Sequence, residues 1–224
     1  GNPRDFATRY YQGGADELLY VDIVASLYER NNLTEILCAT ACDIFIPMTV
    51  AGGIRSLRDI ETLLRCGADK VSINTAGVAR PDFIREAAER FGSQCITVAI
   101  DYKQWPDGSY RVYTDNGRQQ TFQAAAEWAV RAAELGAGEL LLTSIDREGT
   151  RKGFEVKLVR EITQKVSIPV VAGGGAGSID DIVDVIEFGG TRREARCDLH
   201  GSFLRRCTRT RRAPSRTSRA CSSR

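Results

Sequence analysis

The sequence predicts an α/β fold: a (β/α)8 TIM-type barrel made of duplicated half-barrels, here incomplete, with about six of its strands. Three observations predict it. The phrase "IPMTVAGGIRS" (46–56) returns as "IPVVAGGGAGS" (168–178), 122 residues on. At the same offset "GADELL" (14–19) returns as "GAGELL" (136–141), and "SLRDIETLLRCGAD" (56–69) as "SIDDIVDVIEFGGT" (178–191). Three segments sharing one offset without gaps mark an internal duplication, with a unit far longer than a solenoid repeat. Within each unit, short apolar runs alternate with helical patterns, the signature of a parallel sheet. A doubly wound open sheet is the structural rival.

The predicted strands are 17–22, 46–51, 69–73, 95–101, 139–144 and 168–172. They are continuous and rich in Val, Ile and Leu, as strands buried on both faces should be. Pro81 opens a helix over 81–90, where its missing N–H costs nothing. Ala124 to Leu135 is rich in Ala and Glu and stops at Gly136, a C-cap residue. Residues 2–13 align with that helix, and no strand precedes them, so the first barrel strand is expected to be absent. "GADKVSINTA" (67–76) should recur at 189–198, but the chain there reads "GGTRREARCD". The eighth strand is therefore unrecognisable, and the breach is contiguous, leaving open sheet edges. Residues 1–190 are expected to form the barrel domain and 191–224 a separate, disordered Arg-rich tail.

The net charge of +2 conceals a split. Residues 191–224 carry 11 Arg against Glu194 and Asp198, a charge of +9, and the remainder carries −7. Arg-rich tails can bind nucleic acid, but this one has no aromatic beyond Phe203 and no module signature, so nucleic acid is not an expected partner. No apolar run reaches 18 residues and no signal segment opens the chain, so a cytoplasmic protein without membrane spans is expected. The seven Cys form no CxxC pair, which points to reduced thiols. Neither a metal nor a cofactor is expected.

Barrel chemistry belongs at the C-terminal ends of strands. Asp22 closes one strand and Gly52 and Gly53 follow the next. Ser72, Asn74 and Thr75 follow the third, and Asp101 closes the fourth. Thr143, Ser144 and Asp146 follow the fifth, and Gly173, Gly174 and Gly175 the sixth. Two glycine turns, each leading into a helix, let backbone N–H groups approach phosphate. Their symmetric placement predicts a ligand with a phosphate at each end. Asp101 stands where a general acid or base should, although a strand-end Asp can also cap a loop. Asp22 and Asp146 are candidates for the same work or for substrate hydroxyls. The lone His200 falls in the tail, and no Ser-His or Cys-His arrangement is visible. At the opposite face Glu17, Lys70 and Glu139 begin three strands.

"DKVSINTA" (69–76), "RFGSQCITVAID" (90–101), "GAGELLLTSIDREGTRKGF" (136–154) and "VAGGGAG" (171–177) closely resemble the cyclase subunit family of imidazole glycerol phosphate synthase. The resemblance runs from about residue 1 to 190, and "TSIDREGT" and "FGSQ" separate it from the sister isomerase of the same pathway. It implies a heterodimer with a glutaminase subunit, whose ammonia crosses the barrel and attacks a ribulosyl bis-phosphate. The products are imidazole glycerol phosphate and an aminoimidazole carboxamide ribotide. By motif, Asp101 matches a catalytic Asp, and the family's other catalytic Asp, on strand one, has no counterpart. Gly53, Asn74 and Thr75 match one phosphate site, with Gly52 beside it, and Gly174 and Gly175 match part of the other. Asp22, Ser72, Thr143, Glu148, Gly149 and Thr150 match pocket positions. Glu17, Lys70 and Glu139 match a charged ammonia gate at the barrel floor, and Asp69 matches the rim that meets the glutaminase.

Ala51 stands where the family usually has Gly, Gly173 where it has Ser, and Glu148 where it has Asp; "ASLYERNNL" (25–33) also departs from the commonest form. These departures keep a second reading open, a paralogue amidating a sugar in surface-polysaccharide synthesis. A third reading is an inactive fragment of either, since catalytic groups act as a unit.

Overall fold

The computed structural model describes residues 3–22 and 32–189. Its frame is six parallel strands, each followed or preceded by a helix on the outer face. In chain order the elements begin α1 (Pro3–Gln12), β1 (Leu18–Val21), α2 (Asn32–Ala41), β2 (Met48–Ala51), α3 (Leu57–Arg65) and β3 (Lys70–Ile73). The short α4 (Thr75–Ala79), then α5 (Asp82–Phe91) and β4 (Ile96–Gln104), follow. After the hairpin β5 (Tyr110–Thr114) and β6 (Gln119–Ala124) come α6 (Ala125–Glu134), β7 (Glu139–Ser144), α7 (Val156–Thr163), β8 (Val170–Gly173) and α8 (Ile179–Phe188). The parallel order is β1-β2-β3-β4-β7-β8, an incomplete TIM-type barrel wall among the described residues. The predicted tail, with His200, lies outside the described residues, as does most of 25–33.

The duplication survives in three dimensions. α1 and α6, and likewise β2 and β8, begin and end 122 residues apart. Ser56 and Asp59 close a capping box on α3, and Ser178 and Asp181 close one on α8 at the same offset. In each, the serine hydroxyl accepts from the N3 amide at 3.2 Å while the aspartate returns the favour to the cap amide. This satisfies two of the orphan N–H groups of each helix.

Two cores follow from the strands' two-residue period. Outward residues such as Val50, Ile73, Ile100 and Leu142 pack under the helices with Phe83, Trp128 and Ile162. Inward residues form a separate small cluster of Ala99, Leu141 and Val171, with Leu19 against it. Glu139, Leu141 and Thr143 therefore share one face of β7, and Thr97, Ala99 and Asp101 one face of β4. Just past the end of α2, the Cys42 thiol donates to the Cys38 carbonyl at 3.4 Å, and interaction with the Cys38 thiol, then burial, raises the Cys66 thiol to about 11.

The β5–β6 hairpin departs from the sequence expectation, which carried no element between 102 and 123. β4 also runs past residue 101, to Gln104. The reason is shared: the first half of β4 pairs with β3, and Asp101 to Gln104 then pair antiparallel with Tyr113 to Tyr110 of β5 along the same edge. The hairpin turn holds Asp115, Asn116 and Gly117 in the left-handed region, at φ 50, 54 and 79°. Asp, Asn and Gly tolerate that conformation best.

Candidate active site

A cavity of about 490 Å³ opens at the C-terminal ends of the parallel strands. Its floor is the inward apolar layer, Leu19, Ala99 and Leu141, and its polar rim comes from strand ends. Asp22, Gly52, Gly53, Ser72, Asn74, Thr75, Asp101, Thr143, Glu148 and Gly174 all reach its wall. The structure thus gathers residues spread over 22–174 around one space. Gly149, Thr150 and Gly175 stand outside the lining: the Thr150 hydroxyl donates to the Arg147 carbonyl at 2.7 Å, and Gly175 packs against Gly153 and Arg147. Asp146 accepts from the Gln104 amide at 2.8 Å and also lies off the cavity.

Asp101 lies at the centre of one wall. Asn74 Nδ2 donates to its Oδ2 at 2.9 Å. Burial pushes the Asp101 carboxyl up to about 6; the Asn74 hydrogen bond opposes this and the Glu148 charge adds to it. A carboxyl so tuned can exchange a proton near neutral pH. The Asn74 Oδ1 and Ser72 Oγ atoms are buried without a partner among the described residues, leaving one acceptor and one hydroxyl turned inward beside Asp101.

The glycine turns have the backbone that phosphate cradles require. Gly52 and Gly53 adopt φ of 104 and 69°, and Gly174 and Gly175 adopt 86 and 102°. A side chain at Gly52 would place its Cβ 2.3 Å from the Asp22 carbonyl oxygen, and one at Gly175 would lie 2.2 Å from that of Gly153. Both turns lead into the capped N-termini of α3 and α8, the positive ends of those helices.

At the opposite end Lys70 Nζ lies 3.1 Å from Glu17 Oε1 and 2.6 Å from Glu139 Oε2. Thr49 donates to Glu17 at 2.7 Å. All three charged side chains are under one-fifth exposed, so the cluster plugs the inner floor. Asp69 lies just outside it, exposed, its carboxylate accepting from the Met48 amide at 2.8 Å. Among the described residues no three His, Cys, Asp or Glu side chains converge to hold a metal ion.

Sequence reasoning missed one wall. The hairpin turn Asp115–Gly117 lines the cavity, and the Asp115 amide donates to Thr75 Oγ1 at 3.0 Å. Its signal was present as "TDNG" between alternating residues, an Asn-Gly turn.

The sequence profile of the family described as "Histidine biosynthesis protein" matches residues 1–193. "Imidazole glycerol phosphate synthase subunit HisF" of Legionella pneumophila is 55% identical over 181 residues, covering 81% of this chain and 85% of that protein. The subunit of the same name from an Exiguobacterium strain is 50% identical over 187 residues, covering 84% and 73%. That from a Dehalococcoides mccartyi strain is 50% identical over 189 residues, covering 84% and 74%. The chain belongs to the histidine biosynthesis protein family and groups there with the HisF subunits of imidazole glycerol phosphate synthase.

Proposed function

We propose that the chain is the cyclase subunit of imidazole glycerol phosphate synthase in histidine biosynthesis. It takes ammonia from a glutaminase partner and converts a ribulosyl bis-phosphate carboxamide ribotide into imidazole glycerol phosphate and aminoimidazole carboxamide ribotide. One observation carries the reading most directly: a buried Asp101, its carboxyl raised to about 6 chiefly by burial, on the wall of a cavity reached by two glycine turns 122 residues apart. A ligand with a phosphate at each end spans such a cavity with its reacting carbons beside Asp101.

Each residue then has a task. Gly52, Gly53, Asn74 and Thr75 receive one phosphate and Gly174 the other, while Gly175, off the cavity lining, shapes the Gly174 turn. Asp22, Ser72, Thr143 and Glu148 contact the sugar chain and base, and Gly149 and Thr150 shape the loop carrying Glu148. Asp101 moves the proton when ammonia adds and the ring closes. Glu17, Lys70 and Glu139 gate ammonia at the floor, and Asp69 meets the glutaminase. Above the gate, the Thr97 and Ser72 hydroxyls stand in register on inward positions and are buried without partners among the described residues, polar steps for a small neutral molecule. Residues 1–190 act as the barrel domain and 191–224 as a separate tail. The cytoplasm suits the pathway, and no helix among the described residues is long and apolar enough to cross a membrane.

Purified chain supplied with ammonium and the bis-phosphate substrate should release imidazole glycerol phosphate. Absence of turnover, with the substrate returned intact, would overturn the reading in favour of the sugar-amidating or the inactive one.

A further inference from the structure

Arg147, one residue before Glu148, has no part in the chemistry just described, yet the whole loop closes on it. Its Nε and Nη2 donate to Glu155 Oε2 at 3.0 and 2.8 Å. Its Nη1 donates to the carbonyls of Lys152 and Gly153 at 3.3 and 3.2 Å. Its own carbonyl accepts from the Thr150 amide at 3.0 Å. One side chain thus ties the near limb of the 145–155 loop to the far limb. Only a planar guanidinium reaches three acceptors in that fan; an ammonium cannot.

The clamp is anchored on both sides. Glu155 precedes α7 near Tyr110 of the hairpin, whose hydroxyl is pushed up to about 12 by burial first and by the Glu155 carboxylate second. On the other side, the Gly153 amide donates to the Gly175 carbonyl at 2.8 Å, and a Cβ on Gly175 would lie 3.0 Å from the Arg147 Cβ. Arg147 therefore underlies the second glycine turn. Glu148 points the opposite way, with Oε2 3.3 Å from where a Cβ on Gly174 would stand.

We propose that Arg147 is a positioning residue: by clamping the 145–155 loop to Glu155 and to the Gly174–Gly175 turn, it holds the Glu148 carboxylate facing Asp101. The function assigned to Arg147 rests on Asp101 being the acid/base group proposed above; the geometric effect does not. Asn74, just after β3, hydrogen-bonds Asp101, and three further carboxylates line the same cavity: Glu148 from the loop, Asp22 from the end of β1 and Asp115 from the hairpin turn. Of these, Glu148 is the one whose place depends on Arg147.

Carboxyl-carbon NMR titration of Asp101 in the full chain tests this without turnover. Arg147→Met should lower the Asp101 midpoint from about 6, by as much as Glu148→Gln does. The double variant should go no lower than Glu148→Gln alone. Glu155→Gln should shift the midpoint in the same direction, and Arg147→Lys should restore part of it. Loss of the cation acting directly on Asp101 would raise the midpoint, the opposite sign. A thermal melt accompanies each variant. A lowered melting temperature with an unmoved midpoint, an upward shift, or additive effects in the double variant would overturn the proposal. In the cyclase assay, Arg147→Met should lose roughly 10-fold or more in kcat/KM, in step with Glu148→Gln. If the parent chain shows no turnover, the functional reading fails while the titration still decides the positioning role.

Discussion

The Asn74 side-chain amide donates to Asp101 Oδ2 across 2.9 Å, joining the ends of two neighbouring parallel strands. The bond favours the carboxylate, yet burial outweighs it, and the carboxyl settles at about 6. Asp101 is thereby fixed in orientation by Asn74 and left able to take or release a proton.

Replacing Asp101 with Asn keeps the shape and removes the proton carrier. Steady-state assay of Asp101→Asn should show kcat/KM reduced by roughly 10²–10⁴-fold. Substrate binding by calorimetry should stay within a few-fold. Full turnover in this variant would remove Asp101 from the mechanism.

The pH dependence has a definite sign. With Asp101 as the base, kcat/KM should rise through an acid limb near pH 6. Asn74→Ala, which removes the hydrogen bond to the carboxylate, should move that limb to higher pH. Glu148→Gln should move it lower.

The same shift links pH to stability. The Asp101 carboxyl is raised in the folded chain, from its ordinary 3.8 to about 6. Its contribution is fully present below pH 3.8 and is lost as pH rises through about 6. Asp101→Asn should therefore gain stability relative to the parent between acid and neutral pH, on the order of 3 kcal/mol. Urea melts at both pH values measure it, and a pH-independent difference would contradict the shift.

Lys70 separates two carboxylates at the floor. Lys70→Met strands both, which should cost about 3–5 kcal/mol of unfolding free energy. Adding Glu17→Gln and Glu139→Gln should recover most of it. A Lys70→Met chain as stable as the parent would mean that water already screens the cluster.

Gly52 and Gly175 each occupy positive φ with a carbonyl oxygen where a Cβ would go. Gly52→Ala and Gly175→Ala should each destabilise the chain by roughly 1–3 kcal/mol. Each should also weaken inorganic phosphate binding, read by phosphorus NMR line broadening. Gly149→Ala, with positive φ but open space, should cost less than either.

Strand periodicity and the 122-residue repeat were legible because both are local patterns repeated in register. Pro81, Gly136 and the apolar runs marked element ends, and β2, β3, β7 and β8 fall within a residue or two of expectation. The hairpin was not legible in that frame. It contributes no unit to the repeat, and its buried face, Tyr110, Val112 and Thr114, packs only because β4 overruns Asp101. Gly149, Thr150 and Gly175 belong to recognisable motifs but lie off the cavity lining: Thr150 turns back to bond the Arg147 carbonyl, and the Gly175 carbonyl accepts from the Gly153 amide.

The sequence by itself determined the duplication, the parallel α/β class, the two glycine turns and Asp101, since each depends on residues adjacent in the chain or at one fixed offset. Only the tertiary structure decided that Asn74 orients Asp101, that Lys70 lies between Glu17 and Glu139, that the hairpin turn closes one wall, and that Arg147 clamps the loop beneath Glu148. Those contacts join residues from different strands and loops, and their distances are set by sheet register and close packing, which no local pattern encodes.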